Sequence, residues 1–186
     1  IHAEPLSEPA VPIEGGEVAA GVVSGPKGPE PIMHLIAAAD IAKGEKLSKA
    51  CAACHSFDNG GPDKVGPNLW GVLGGPKAHV AGFAYSDGLK NKAGSWGYAE
   101  MNEFLYKPKA YIEGTKMNYI GMKKPEDRAA LIAWLRSMGS TSMALPSEGD
   151  IAAEKAKLAP EPEVTEEEAA TESAVDGAAE EAAPAE

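Results

Sequence analysis

Cys51-Ala52-Ala53-Cys54-His55 is the stretch on which the reading of this 186-residue chain turns. Two thiols three positions apart, on one turn, can add to the two vinyl groups of a single porphyrin. The histidine directly after the second thiol is then held under the iron as an axial ligand. A structural zinc site needs about four ligands, and the chain has only these two cysteines. A thioredoxin-like dithiol does not need the adjacent histidine and sits in a βαβ pattern, which is missing here. Attachment of one haem c through Cys51 and Cys54 is the reading left, with His55 on the iron. Because it uses both cysteines, no disulfide remains to report the redox compartment. Covalent haem attachment of this kind takes place outside the cytoplasm, so the expected location is periplasmic or equivalent.

The motif closes a helix. Asp40 suits the N-cap position, and Ile41, Gly44, Leu47, Ser48 and Cys51 then share one face. Gly44 on that face lets another helix approach closely, at about 1 kcal/mol of helix propensity. Residues 56–82 are rich in Gly, Pro, Asn and Asp and read as a loop. A loop of that length inside a domain implies that it wraps something, and here the haem is what it wraps. Short helices are predicted near Ser86–Lys92 and Tyr98–Tyr106. The strongest helix signal is Pro125–Met138. Pro125 fits the first helical position, and Glu126 and Asp127 complement the positive helix end. Leu131, Trp134, Leu135 and Met138 form an i, i+3, i+4, i+7 stripe, and Gly139 stops the helix. Strand signals are nearly absent, so the fold class is all-α.

Charge divides the chain into three. Residues 1–31 carry one Lys against five Glu and hold six prolines, and read as a flexible Pro/Glu-rich linker. Residues 32–145 carry 14 Lys and Arg against 10 Asp and Glu and form the haem domain. Residues 146–186 carry two Lys against 13 acids, an Ala/Glu/Pro tail expected to be disordered. The net charge of −11 thus describes the ends, while the body is basic enough to meet acidic docking surfaces. No stretch approaches the roughly 18 apolar residues that span a bilayer. The sequence begins with Ile1-His2, without an initiator Met, so a signal peptide or a membrane anchor upstream of Ile1 is the expectation.

A haem iron with one histidine needs a sixth ligand or leaves an open site. Of the six methionines, Met138 sits on the core stripe, and Met33, Met101 and Met143 have packing or tail contexts. Met117 ends Tyr111-Ile112-Glu113-Gly114-Thr115-Lys116-Met117, a loop from which a thioether can be presented to a ring.

From about Gly44 to Leu135 the chain closely resembles the mitochondrial-type class I cytochromes c. The motifs that carry the likeness are Cys51–His55, Gly66-Pro67-Asn68-Leu69, Gly82-Phe83-Ala84-Tyr85-Ser86-Asp87, Lys90-Asn91-Lys92, Trp96-Gly97, Pro108-Lys109, Tyr111–Met117, Gly121-Met122-Lys123-Lys124 and Leu131–Leu135. The resemblance implies the class I cytochrome c fold, with N- and C-terminal helices crossing at Gly44 and the Leu131/Trp134 stripe. It implies His55 and Met117 as iron ligands. It also implies Pro67 as acceptor for the histidine Nδ1–H, Tyr85 and Trp96 as partners of a haem propionate, and Thr115 as support for the propionate beside the methionine loop. Tyr85 and Trp96 taken alone read equally as core aromatics. Four positions depart from the family pattern. Gly75 lies where an arginine often stands near a propionate, leaving Lys77 or solvent to compensate. Phe104 replaces a tyrosine that reaches the methionine sulfur, Leu89 an asparagine of the same network, and Ser48 an aromatic at the helix crossing.

The function implied is that of a single-electron carrier, not an enzyme. It would take electrons from a cytochrome bc complex and pass them to a terminal oxidase or photosynthetic reaction centre. Lys46, Lys64, Lys109, Lys116, Lys123 and Lys124 are candidates for a docking ring, although any one of them also reads as an ordinary solvated lysine. The body and its acidic linker further resemble bacterial membrane-tethered c-type cytochromes, a monomer held at the inner membrane with no nucleic-acid partner. The competing function is a haem-based small-ligand sensor or peroxidase, which requires Met117 to be displaceable. His34 and His79 read as surface or loop residues, so no distal histidine–arginine pair supports it.

Overall fold

The computed structural model describes residues 28–159. Most of the expected linker 1–31, and the tail from residue 160 onward, lie outside the described residues.

Asp40 does cap the helix that carries the cysteines, its carboxylate accepting from the Lys43 N–H at 3.0 Å. This helix, α2, follows a single turn α1 (Met33–Ile36) and runs Ile41–Ala52. Further along the chain come α3 (Asp87–Asn91), α4 (Tyr98–Tyr106), α5 (Pro108–Tyr111), α6 (Pro125–Ser137) and α7 (Glu148–Leu158). No strand forms among the described residues, only an isolated antiparallel bridge between Pro76 and Ser95.

The crossing of α2 and α6 is the largest helix–helix contact. Gly44 is buried there, and a Cβ at its position would collide with the Ala130 carbonyl and the Trp134 side chain. A side chain smaller than any other is therefore required for the helices to meet. Lys43 and Asp127 pair across the same crossing. Ser48 lies buried beside it and donates to the Glu45 carbonyl at 2.7 Å. Phe57 packs edge-on against Trp134 at 4.8 Å between ring centres. The α6 stripe then meets Ile32, Ile36, Val72, Leu73 and Leu105 in one core. Each fully buried Leu or Ile there contributes roughly 1.5–3 kcal/mol.

Residues 56–86 carry no helix. They turn on Gly60, Gly71, Gly74 and Gly82, all at positive φ, and wrap the side of the molecule next to the cysteines.

The ordered body is wider than 32–145 at both ends. Glu30 lies before it and pairs with the buried Arg128 at 2.9 Å. The helix α7 lies after it, opened by a capping box between Ser147 and Asp150. It packs on α1 through Glu154, which is only 3% exposed. The carboxylate accepts from the Ile32 and Met33 N–H groups at 3.0 and 2.7 Å, capping a turn that has no cap of its own. The expectation of a disordered segment starting at residue 146 is thus corrected for α7. What draws this helix in is a buried carboxylate, with only Ile151 and Leu158 half-buried on its apolar side.

Candidate functional site

The last turn of α2 and the turn after it present the two thiols and the imidazole. Cys54 and His55 both donate their N–H groups to the Cys51 carbonyl, at 3.0 and 2.9 Å, so the chain is tightly folded over this pentapeptide. Cys51 is half-buried and Cys54 exposed. Burial, with a smaller contribution from Cys54, pushes the Cys51 thiol above its ordinary range.

His55 Nδ1 lies 2.7 Å from the Pro67 carbonyl oxygen. A carbonyl only accepts, so Nδ1 carries the proton and Nε2 keeps its lone pair. Burial pushes the imidazole pKa down, and Lys64 adds to this, although the Pro67 bond works the other way. The ring is therefore neutral near pH 7, the state a metal ligand needs. Gly66 lies flat against it, where a Cβ would fall 2.7 Å from Nδ1.

The imidazole opens into a cavity of about 330 Å³, within the size range of cofactor sites. Its walls are mainly apolar, including Leu69, Val72, Leu89, Leu105, Leu131 and Leu135. Cys51, Cys54, His55, Pro67, Tyr85, Trp96, Thr115 and Met117 all line it. The structure thus brings the whole predicted set around one space. Tyr85 and Trp96 are buried, at 8% and 6% exposure. The Tyr85 oxygen accepts from the Val80 N–H at 3.4 Å, which leaves its own proton to donate elsewhere. Thr115 Oγ1 accepts from the Met117 N–H at 3.2 Å and braces the methionine turn. Phe104 lines the cavity within an aromatic group, 4.9 Å from Trp96 and 6.1 Å from Tyr111. Leu89 stands on the wall without any polar function.

Lys77 is turned to the backbone beside the cavity wall, its Nζ 5.4 Å from the centre of the Trp96 ring. It lies outside the lining and donates to the Ala93 and Ser95 carbonyls at 3.2 and 3.0 Å. His79 reaches the lining instead, with Nδ1 3.1 Å from the Pro76 carbonyl. Tyr119 lines it too, its phenol pushed up by burial and then by Cys51 and Asp127. Sequence reasoning missed both as site residues. His79 is an exposed loop residue, as the sequence implies, and nothing in its pattern marks it as bordering the cavity; Tyr119 has no motif of its own beyond its closeness to Met117.

The residues present fit a covalently held haem. Two thiols, an imidazole with an available Nε2 and a thioether border one apolar space of suitable size. Among the described residues no group of three His, Cys, Asp or Glu side chains gathers to hold a bare ion.

Comparison with known proteins agrees. The sequence profile described as Cytochrome c matches residues 41–139. A "Cytochrome c homolog" of Bradyrhizobium diazoefficiens is 40% identical over 135 residues, covering 72% of this chain and 70% of that protein. A "Cytochrome c homolog" of Rickettsia felis is 41% identical over 109 residues, 59% of this chain and 62% of its own length. The "Cytochrome c" of Chlamydomonas reinhardtii is 49% identical over 100 residues, 53% of this chain and 89% of that protein. The chain belongs to the cytochrome c family, with the all-α class I fold and one haem c held covalently through Cys51 and Cys54. Electron transfer through haem is the activity that membership carries.

Proposed function

We propose that the protein is a one-electron carrier whose haem iron is held between His55 Nε2 and Met117 Sδ. The observation that carries this reading is the 2.7 Å contact of His55 Nδ1 with Pro67 O, which fixes the tautomer that leaves Nε2 to bind metal. When bound, the haem supplies a one-electron couple. Cys51 and Cys54 anchor it, and the apolar walls exclude water. Tyr85, Trp96 and Thr115, all on the cavity wall, would hold its propionates. With a thioether and an imidazole as its ligands the iron would favour the ferrous state, which would raise the potential. Two protein ligands leave no open position for a substrate, which favours a carrier over a sensor or peroxidase.

The donor is a quinol-oxidising cytochrome bc complex and the acceptor a terminal oxidase or photosynthetic reaction centre. Lys116 lines the cavity, fixed on the Ala84 carbonyl at 2.7 Å, and Lys64, fixed on the Ala52 carbonyl at 2.9 Å, directly precedes the lining residue Val65. Val65 is 84% exposed. An apolar centre with a basic rim suits brief, salt-sensitive docking on acidic partners. Lys46, Lys109, Lys123 and Lys124 are exposed and extend the basic surface. The carrier works in the periplasm, with the segment before Glu30 as a linker to an inner-membrane anchor. No helix among the described residues is long and apolar enough to cross a membrane.

Carbon monoxide added to the reduced holoprotein at neutral pH tests the ligand pair. No spectral change is expected. Stoichiometric binding would show that Met117 does not hold the iron and would put the sensor or peroxidase reading first.

A further inference from the structure

We propose that Glu154, on a helix outside the family-matched region 41–139, is a positioning residue for the loop that carries Met117. The proposal rests on Met117 as iron ligand.

The loop is held mainly at its two ends. On one side the Thr115 N–H bonds the Ile112 carbonyl at 3.2 Å, and on the other the Met122 N–H bonds the Leu105 carbonyl at 2.8 Å. The stronger hold on the second end is Arg128, which has no exposed surface. Its Nη1 donates to the Met122 and Lys123 carbonyls at 2.9 and 2.6 Å. Its Nε donates to Asn102 Oδ1 at 2.6 Å, and Nη2 to the Glu30 carbonyl and carboxylate at 3.3 and 2.9 Å. These five contacts match the five N–H groups of a guanidinium, so its orientation is fully determined by its acceptors.

Two of those acceptors answer to α7. Asn102 is completely buried, and its Nδ2 donates to the Glu30 carbonyl at 3.0 Å and to Glu154 Oε1 at 3.3 Å. A carboxylate only accepts and a guanidinium only donates. Asn102 must therefore turn its nitrogen to Glu154 and its oxygen to Arg128. Glu154 Oε2 meanwhile holds the Ile32 and Met33 N–H groups, two residues from the Glu30 that Arg128 grips. The chain Glu154–Asn102–Arg128 thus ends on the backbone of the methionine loop. The same helix α4 turns Met101, Phe104 and Leu105 into the cavity, so the network braces the cavity from behind. Removing the carboxylate frees the Asn102 amide to rotate and releases the segment before α1. Both changes loosen Arg128.

The test is imidazole titration of the ferric holoprotein, following the weak red absorption band of thioether-to-iron charge transfer. The wild-type protein should show the band. Glu154→Ala should raise the apparent imidazole affinity about three- to tenfold, the result of losing part of a buried charged hydrogen-bond network. Glu154→Gln, which keeps an acceptor in place, should restore most of the wild-type value. Ile36→Val, destabilising the core away from the loop, is the control for global stability measured by guanidinium unfolding. Should Glu154→Ala not accumulate as holoprotein, Lys157→Ala serves, since it removes only the pair of α7 with Glu103 at 2.6 Å. It should give a smaller rise of the same sign. A wild-type protein without the band overturns the ligand assignment, and the proposal with it. A normal band, with imidazole affinity in the Glu154 variant no higher than in Ile36→Val, overturns the proposal alone.

Discussion

The two sides of the cavity are built by different means. On the His55 side the hydrogen bonds around the imidazole are local, although α2 itself packs on the distant α6. The pentapeptide is folded on the Cys51 carbonyl, Gly66 N–H bonds the Cys54 carbonyl at 2.8 Å, and Leu69 N–H bonds the Ser56 carbonyl at 2.9 Å. The imidazole itself is bonded to Pro67. On the Met117 side the nearest support is Thr115, Lys116 reaches the Ala84 carbonyl, and further support comes from α4, α6 and the chain ends through Arg128. A site whose hydrogen bonds come from neighbours in sequence depends less on the remainder of the molecule. One made by distant elements depends on the whole fold and opens first.

Breaking the local side should have the largest effect. Replacing both Cys51 and Cys54 with Ala should abolish covalent haem, read as loss of haem staining on a denaturing gel. Retained stain would mean attachment elsewhere. Next is Met117→Ala, which should leave haem attached but lower the midpoint potential by on the order of 0.1 V or more, within the roughly 0.8 V that axial ligands command. The reduced variant should also bind carbon monoxide. An unchanged potential would remove Met117 from the iron.

Truncation sharpens the comparison. Ending the chain after Ala159 should leave stability and spectra as they are. Ending it after Leu145 also removes Glu154 and should cost about 1–3 kcal/mol, because the buried N–H groups of Ile32 and the Asn102 amide, and the half-buried one of Met33, lose their acceptor. Guanidinium midpoints of the two truncations separate these outcomes. Equal midpoints would make α7 an ornament.

The smallest effect concerns Tyr111, beside the methionine loop. Burial, then Glu100 and Glu103, push its phenol up to about 12, whereas an unfolded tyrosine ionises near 10. As pH rises the unfolded chain loses this proton first, so stability should fall between about pH 10 and 12. Tyr111→Phe should flatten that part of the stability curve, and an unchanged slope would assign it to other groups.

What was legible in the sequence follows the same division. Cys51, Cys54 and His55 declare themselves by spacing, and α6 by its stripe, because the physics behind each acts within a few residues. The role of Pro67 came only through family resemblance, and the loop context that favours Met117 over other methionines became a ligand assignment only through it. The distance that explains Pro67 spans 12 residues of irregular loop. The far-side network was not readable at all. Glu154 and Arg128 look like solvated charges on their own helices, and Asn102 carries no signal, yet all three are buried. Contacts spanning 26 to 122 residues join them and the chain ends. Sequence periodicity carries no trace of such pairings.

A spectroelectrochemical redox titration of the full-length holoprotein tests the carrier reading most directly. A single one-electron wave at a high positive potential is the result predicted for His55 and Met117 on one iron. A low or negative potential would contradict it, because the sulfur of Met117 would then not be a ligand in the working protein.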